Sequence, residues 1–361
     1  MYLLHQKLKA LNHQFFPGRV FHHPKWIVLG VNNLCNLHCK MCDVGIKATD
    51  TNFAANLTGT RPVNMPLDLL KRIIDQTARY YPKTKLGYAF TEPLIYPHLI
   101  ESLGYANEQG LFTSITTNAL NLKHKAEGLV QGGLNELYVS LDGPESIHNF
   151  IRGHESSFQR AIAGIEKITV MDPTLGVSVF CVLTEWNIGH LEEFIDQIKH
   201  LPLNQVGFMH TNFTTQSMAD HHNNLLMGNY PATYSNTEEI DVSKMDLKVL
   251  QEEMIALRQK EYPFKITFSP EIDSAEGLNK FYHRPGELIG KRCDDVFENV
   301  MIKSDGSVIP AHGRCYNLTI GNLYNDNLKE IFNSKIISKF RKDLISHGGL
   351  FPACSRCCSA F

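Results

Sequence analysis

Apolar β-type runs and amphipathic helical stretches alternate along the first two thirds of the chain. Residues 26–32 (WIVLGVN) form an apolar run rich in β-formers, and residues 67–80 place Leu69, Leu70, Ile73, Ile74 and Ala78 on one side of a helix. The pattern then predicts strand 86–90, helix 99–108 ended by Gly110, strand 112–117 and helix 123–131 closed by Gly132 and Gly133. Strand 136–141, helix 158–170, strand 177–183, helix 190–200 and strand 205–210 follow. Strands alternating with helices in this way predict a parallel sheet with right-handed crossovers: an α/β protein built on a partial (β/α)6 TIM-like barrel. Such a barrel carries its chemistry at the C-terminal ends of the strands.

The pattern changes after Phe213. Residues 214–241 are rich in Asn, Thr, Ser and His and read as a linker or lid. A helix over 245–261, a strand over 264–268 and a cysteine-bearing segment complete the chain. Within that segment, residues 300–310 are two strand runs around Asp305-Gly306, a hairpin signal, followed by a strand at 320–323 and a helix at 328–331. The expected organisation is an N-terminal helical extension (1–25), a barrel core (26–213), a linker or lid (214–245) and a small C-terminal α+β domain (246–361). In the extension, Leu4, Leu8, Leu11 and Phe15 recur at helical spacing with Lys7, Lys9 and Arg19 among them. This predicts a helix packed on the barrel; the other reading is docking on a membrane surface.

Composition narrows the class. The 361 residues are 43% hydrophobic and 20% charged, as in ordinary globular proteins, and the net charge of −2 offers no basic excess for nucleic acid. No run approaches the ~20 apolar residues that span a bilayer. The N-terminus lacks a secretory signal, which predicts a reducing, cytoplasmic setting in which disulfides are disfavoured. Eight of the nine cysteines fall in two groups, and clustered thiols in that setting point to metal.

The first group is Cys35, Cys39 and Cys42, a Cys-x3-Cys-x2-Cys run directly after the first strand. Three thiolates on a short loop hold three corners of a cubane iron–sulfur cluster and leave one iron open. A structural zinc site would want four closed ligands, and His38 would close one only with strain. In these residues and their order the chain resembles the radical S-adenosylmethionine superfamily. The resemblance implies a [4Fe–4S] cluster on Cys35, Cys39 and Cys42 whose open iron takes S-adenosylmethionine, and reductive cleavage of that cofactor to a 5′-deoxyadenosyl radical. Phe90-Thr91-Glu92-Pro93 resembles the family's Gly-Gly-Glu-Pro motif, with both glycines replaced, and implies that Glu92 accepts the methionine ammonium. Thr116-Thr117-Asn118-Ala119 resembles Thr-Asn-Gly and makes Asn118 a loop cap lining the site. The stretch from Val139 to Gly153 is similar to that of the peptide- and sugar-modifying branches, implying that Ser140 contacts S-adenosylmethionine and Arg152 pairs with its carboxylate. Asp142 precedes a Gly-Pro turn and is read as shaping it.

The second group supplies Cys293, Cys315, Cys354 and Cys357, and by spacing alone four thiolates close either a zinc site or a second iron–sulfur cluster. With the hairpin between Cys293 and Cys315, the segment resembles the Twitch form of the SPASM extension, which implies one auxiliary [4Fe–4S] cluster. Where the family often has a cysteine, this chain has Ala311 and then His312. Cys315 is assigned as ligand ahead of His312, and Cys357 ahead of Cys358.

The resemblance fixes the first chemical step and leaves its outcome open. The closed second site favours a two-electron oxidation in which the auxiliary cluster takes an electron. Redox-neutral epimerisation would need a free thiol in the barrel, for which Cys181 is the candidate hydrogen donor. A zinc-binding interaction protein is the non-enzymatic alternative. An external one-electron donor such as flavodoxin or ferredoxin is implied. Peptide-modifying relatives often carry a leader-binding domain before the barrel, and the 25 residues here are too few for it. The expectation is therefore a small polar substrate, sugar- or aminocyclitol-like, with a peptide as the alternative; the stretch 210–229, with His221 and His222, is a candidate for binding hydroxyls.

Overall fold

A computed structural model describes residues 2–361, with side chains from Lys7 onward. Its centre is one ten-stranded sheet in the order β10-β9-β8-β1-β2-β3-β4-β5-β6-β7. The strands are β1 (Trp26–Leu29), β2 (Lys85–Tyr88), β3 (Thr113–Thr117), β4 (Glu136–Ser140), β5 (Gly176–Leu183), β6 (Gln205–His210), β7 (Lys265–Ser269), β8 (Asn299–Ile302), β9 (Ser307–Pro310) and β10 (Gly321–Asn322). Strands β1 to β7 are consecutive and parallel, with helices between them. The predicted alternation is thus the one observed, because apolar strands buried on both faces cannot be mistaken for amphipathic helices once Gly and Pro mark their ends.

The division at residue 245 does not coincide with a break in the sheet. Strand β7 continues the parallel run beyond the six strands expected, pairing Lys265 to Ser269 with Gln205 to Met209. On the other edge β8 pairs in parallel with β1, Trp26 facing Asn299 and Leu29 facing Ile302, and the β8–β9 hairpin follows antiparallel. Its turn needs Gly306 at φ +77°, a conformation only glycine adopts freely. The C-terminal cysteine segment is therefore sewn into the barrel sheet, and the main apolar core runs from Val20 to Ala360.

Two further findings concern the ends of this scaffold. The stretch 214–245 is not a plain linker: it contains a helix, Gln216–Leu225, capped by the Thr215 hydroxyl accepting from the Met218 amide. The N-terminal helix Tyr2–Phe15 lies on the body with its polar side inward, not its apolar stripe. Lys9 pairs with Glu298 at 3.0 Å, His13 pairs with Asp294 at 3.0 Å, and the His13 ring stacks on Phe297. Three specific polar and stacking contacts outweigh the weaker preference of the leucines for cover.

Buried His210 closes β6 and bonds the Tyr282 hydroxyl at 2.8 Å. Burial lowers its pKa from 6.5 to about 3. Between those values the unfolded chain holds a proton that the folded chain refuses, so stability falls as pH drops through this window, by about 1.4 kcal/mol per pH unit at most. His210→Gln is expected to flatten the acid side of the stability–pH curve by one proton relative to the natural chain. Denaturant titrations at several pH values measure this, and an unchanged slope would show that His210 titrates normally.

Candidate functional site

The first cysteine loop leaves β1 and is held by side chains on three sides. Asn32 donates to the Glu92 carbonyl at 3.0 Å, Asn33 donates to the Thr60 carbonyl at 2.7 Å, and Lys40 N–H donates to the Ile151 carbonyl. Gly45 lies so close under Cys39 that a Cβ there would collide with the Cys39 backbone. Cys35 is exposed, Cys42 half-buried and Cys39 buried. Burial pushes the Cys39 thiol up to about 12, opposed by the Arg152 guanidinium, whose Nη1 stands 3.7 Å from Sγ. Left alone this thiol stays protonated; a cluster iron is the kind of cation that would hold it as thiolate.

The residues around the loop are tied to it and to one another. Asn118 caps its own turn, its Oδ1 accepting from Leu120 N–H, while its amide donates to Asn36 and reaches the Cys35 thiol at 4.0 Å. Ser140 ends β4 on the same face as Phe180, its partner in register. The Glu92 carboxylate is buried and accepts from Leu94 N–H, from the Thr117 hydroxyl at 2.6 Å and from Asn118 N–H at 2.8 Å. It bolts the loop after β2 to the end of β3. Phe90 keeps the backbone of the glycine it replaces, at φ +82°, and its ring stacks on His312 at 5.8 Å.

Arg152 and Asp142 are joined to each other. Asp142, read as a turn residue, is fully buried and pairs with Arg152 Nε at 2.5 Å while accepting from Val182 N–H at 2.9 Å. Arg152 thus spans Asp142 through Nε and the Cys39 thiol through Nη1. The spacing that joins them is one helical segment, Glu145–Arg152, ended by Gly153 at φ +66°. Cys181 pairs in register with Phe208 in the core, on the opposite face from Phe180 and Ser140, and its thiol lies near Val182 O and the Asn187 amide.

The second group converges. Cys293, Cys315, Cys354 and Cys357 line one cavity of about 80 Å³ together with His312 and Tyr316; Cys358 is not part of the lining. The Tyr316 hydroxyl stands 3.2 Å from Cys354 Sγ. His312 Nε2 bonds Ser359 Oγ at 2.9 Å, and Cys358 and His312 hold the Cys357 thiol well below its ordinary value. Among the described residues, His312, Cys357 and Cys358 are the group of donors compact enough, within 4.8 Å of one another, to surround a single ion. Neither four-cysteine closure nor the Cys35, Cys39, Cys42 set is drawn in that tightly. Thiolates around one zinc would lie about 3.8 Å apart, a spacing that neither full set shows.

Several residues escaped the sequence reading. Arg356, inside the last Cys-x2-Cys, is buried and donates to the carbonyls of Lys280, Phe281, Arg284 and Glu287, fastening the C-terminal cysteines to the helix Ala275–Tyr282. Asp43, one residue past Cys42, accepts from Ser235 Oγ and Asn236 N–H. Asn56 in the helix Asn52–Thr58 donates to the carbonyls of Gly313 and Cys315. His222, a candidate for binding hydroxyls, is instead buried, stacked on Tyr316 and bonded to Tyr230 O; His221 is exposed. A lone charge between two cysteines was the one available signal, for Arg356; the others are joined by contacts at least 94 residues apart or by a turn.

The Asp142–Arg152 pair generates a prediction. Asp142→Ala leaves a guanidinium buried without its counter-ion and is expected to lower stability by about 3–5 kcal/mol, read by denaturant unfolding of the iron-free chain. A loss under about 1 kcal/mol would mean that the pair behaves as a surface contact.

Comparison with known proteins gives both cysteine groups a family. Residues 30–198 match the Radical SAM superfamily and residues 293–358 match SPASM, an iron–sulfur cluster-binding domain. The chain is 21% identical over 360 residues to the tungsten-containing aldehyde ferredoxin oxidoreductase cofactor-modifying protein of Pyrococcus furiosus, covering 92% of this chain and 87% of that protein. It is 31% identical over 151 residues to the AdoMet-dependent heme synthase of Methanosarcina barkeri, which is 41% of this chain and 40% of that one. In structure it resembles Streptococcus suis SuiB bound to S-adenosylmethionine, with a TM-score of 0.63, 16% identity, and coverage of 96% of this chain and 74% of SuiB. It also resembles anSMEcpe with bound AdoMet, at a TM-score of 0.56, 18% identity and coverage of 88% and 82%; these two likenesses speak for the fold. The chain is an enzyme of the radical S-adenosylmethionine superfamily with a C-terminal SPASM iron–sulfur domain.

Proposed function

We propose that Cys35, Cys39 and Cys42 hold the [4Fe–4S] cluster that binds S-adenosylmethionine, that Cys293, Cys315, Cys354 and Cys357 hold an auxiliary [4Fe–4S] cluster, and that the enzyme carries out a two-electron oxidation of its substrate. The observation that supports this reading is the convergence of the four C-terminal cysteines on one cavity. Bound in these sites, the clusters and S-adenosylmethionine supply reductive cleavage of the sulfonium, abstraction of a substrate hydrogen atom and an acceptor for the electron the substrate gives up. The chain's own part is positioning. Arg152 sets a positive charge beside Cys39, Asn118 presents an amide to Cys35, and Ser140 stands on the inner face at the end of β4. Tyr316 offers a hydroxyl to Cys354, a contact that would favour the more reduced state of a cluster bound there. Burial of Cys181 in the core supports oxidation over epimerisation with that thiol as hydrogen donor.

For substrate, a small polar molecule remains the first reading. The relative with broad coverage of both chains is, by its name, a cofactor-modifying protein, which supports a non-peptide substrate. The second reading is a ribosomal peptide, supported by the likeness to SuiB bound to the precursor peptide SuiA, at a TM-score of 0.62. An external one-electron donor, flavodoxin or ferredoxin, completes the proposed cycle. No helix among the described residues is long and apolar enough to cross a membrane.

Two measurements test the assignment. Anaerobically reconstituted protein is expected to carry about eight irons, and the triple change of Cys35, Cys39 and Cys42 to Ala about half as many; a triple variant with all its iron overturns the first site. Replacing Cys354 and Cys357 with Ala, in protein shown by circular dichroism to remain folded, is expected to preserve 5′-deoxyadenosine formation and abolish oxidised product. Full conversion by that variant would remove the auxiliary cluster as electron acceptor.

A further inference from the structure

The helix Tyr2–Phe15 and the segment after it present an apolar surface outward. Leu8, Leu11 and Phe15, one stripe of the helix, are exposed, and so are Phe16 and Phe21 beyond it, from 49% for Leu11 to 68% for Phe21. These five are among sixteen large hydrophobic side chains exposed on the described residues, and they fall within fourteen positions. Singly exposed apolar residues are ordinary; a run of this density marks an interaction surface.

The orientation is fixed by the opposite side of the helix. Lys9 and His13 reach inward to Glu298 and Asp294, and His13 is 1% exposed. Asn12 donates to the Arg19 carbonyl at 2.7 Å and accepts from Phe21 N–H at 3.1 Å, so the turn that carries Phe16 and Phe21 is tied to the helix. Rolling the leucines inward would break both contacts.

Charge selects the partner. The first acidic residue of the chain is Asp43, while Lys7, Arg19 and Lys25 are exposed; of the carboxylates from other elements, Glu298 and Asp294 are paired with Lys9 and His13, and Glu330 shares a hollow with Arg19. Exposed Lys342 adds a fourth cation beside Gly18. A second copy of this chain would bring like charges face to face on such a surface. We infer that this face docks on a lipid bilayer bearing anionic headgroups, with the helix lying in the interfacial plane, Leu8, Leu11, Phe15, Phe16 and Phe21 in the acyl boundary and the cations among the headgroups. A helix clamped to the body by its polar side and left apolar outside is built to lie on a bilayer, and this docking is independent of the reaction proposed above.

The test is co-sedimentation of the reconstituted holoenzyme with vesicles of phosphatidylcholine alone and of phosphatidylcholine with phosphatidylglycerol in equal parts. Binding is expected to the anionic vesicles only and to weaken as salt is raised. The double variant Phe15→Ser, Phe21→Ser and the double variant Lys7→Glu, Arg19→Glu are each expected to weaken it by at least about tenfold, with iron content and 5′-deoxyadenosine formation unchanged. No sedimentation of the natural chain with anionic vesicles overturns the inference. So does a lipid-free dimer, seen by sedimentation velocity, that the phenylalanine variant dissolves, because the face would then belong to a second copy.

Discussion

The parallel pairing of β8 with β1 is the constraint on which the arrangement of the two cysteine groups depends. Strand β1 is flanked by β2 on one side and β8 on the other, so the strand that launches the first cysteine loop also anchors the hairpin that precedes Cys315. A parallel pair cannot be closed by a tight turn, and here nearly the whole chain intervenes between its two strands. The C-terminal module is thereby fixed in register against the barrel, not tethered to it. The helix Asn52–Thr58 then completes the connection through Asn56, whose amide holds the Gly313 and Cys315 carbonyls.

Around that frame, buried polar side chains do the positioning that backbone alone cannot. Glu92 is the clearest case: burial pushes its pKa up, and hydrogen bonds from Thr117, Asn118 and Leu94 work against that rise. Asp142 gives Arg152 a counter-ion, so a guanidinium can be kept beside Cys39 at the edge of the core. Arg356 has no carboxylate partner in this role and is satisfied by four carbonyls around the end of a helix. Each of these contacts is costly to break because the group left behind cannot reach water.

Phe90 and the strap at 230–236 tie the two regions more closely than either motif suggests. Phe90 sits in the loop that bears Glu92, yet its ring lies on His312 of the auxiliary side. The strap supplies Ser235 and Asn236 to Asp43, beside the first cysteines, while Thr233 and Ser235 line the cavity of the second group. What the composition marked as a lid is in part a strut.

The sequence by itself determined the barrel and the two sets of thiols. Strand and helix periods are local, and the Cys-x3-Cys-x2-Cys run places its donors within one loop whatever the rest of the chain does. The hairpin around Asp305-Gly306 was legible for the same reason. Only the tertiary structure decided the roles of charged and polar residues within those motifs, because a carboxylate or guanidinium takes its role from whatever partner lies nearest. Glu92 meets Thr117 and Asn118, Arg152 meets Asp142 and Cys39, and His222 meets Tyr316, and no spacing rule encodes those meetings. The outward turn of Leu8, Leu11 and Phe15 was likewise beyond the pattern. An amphipathic period fixes that a helix has two faces, and only the acidic pair Asp294 and Glu298, nearly three hundred residues away, fixed which face was bound.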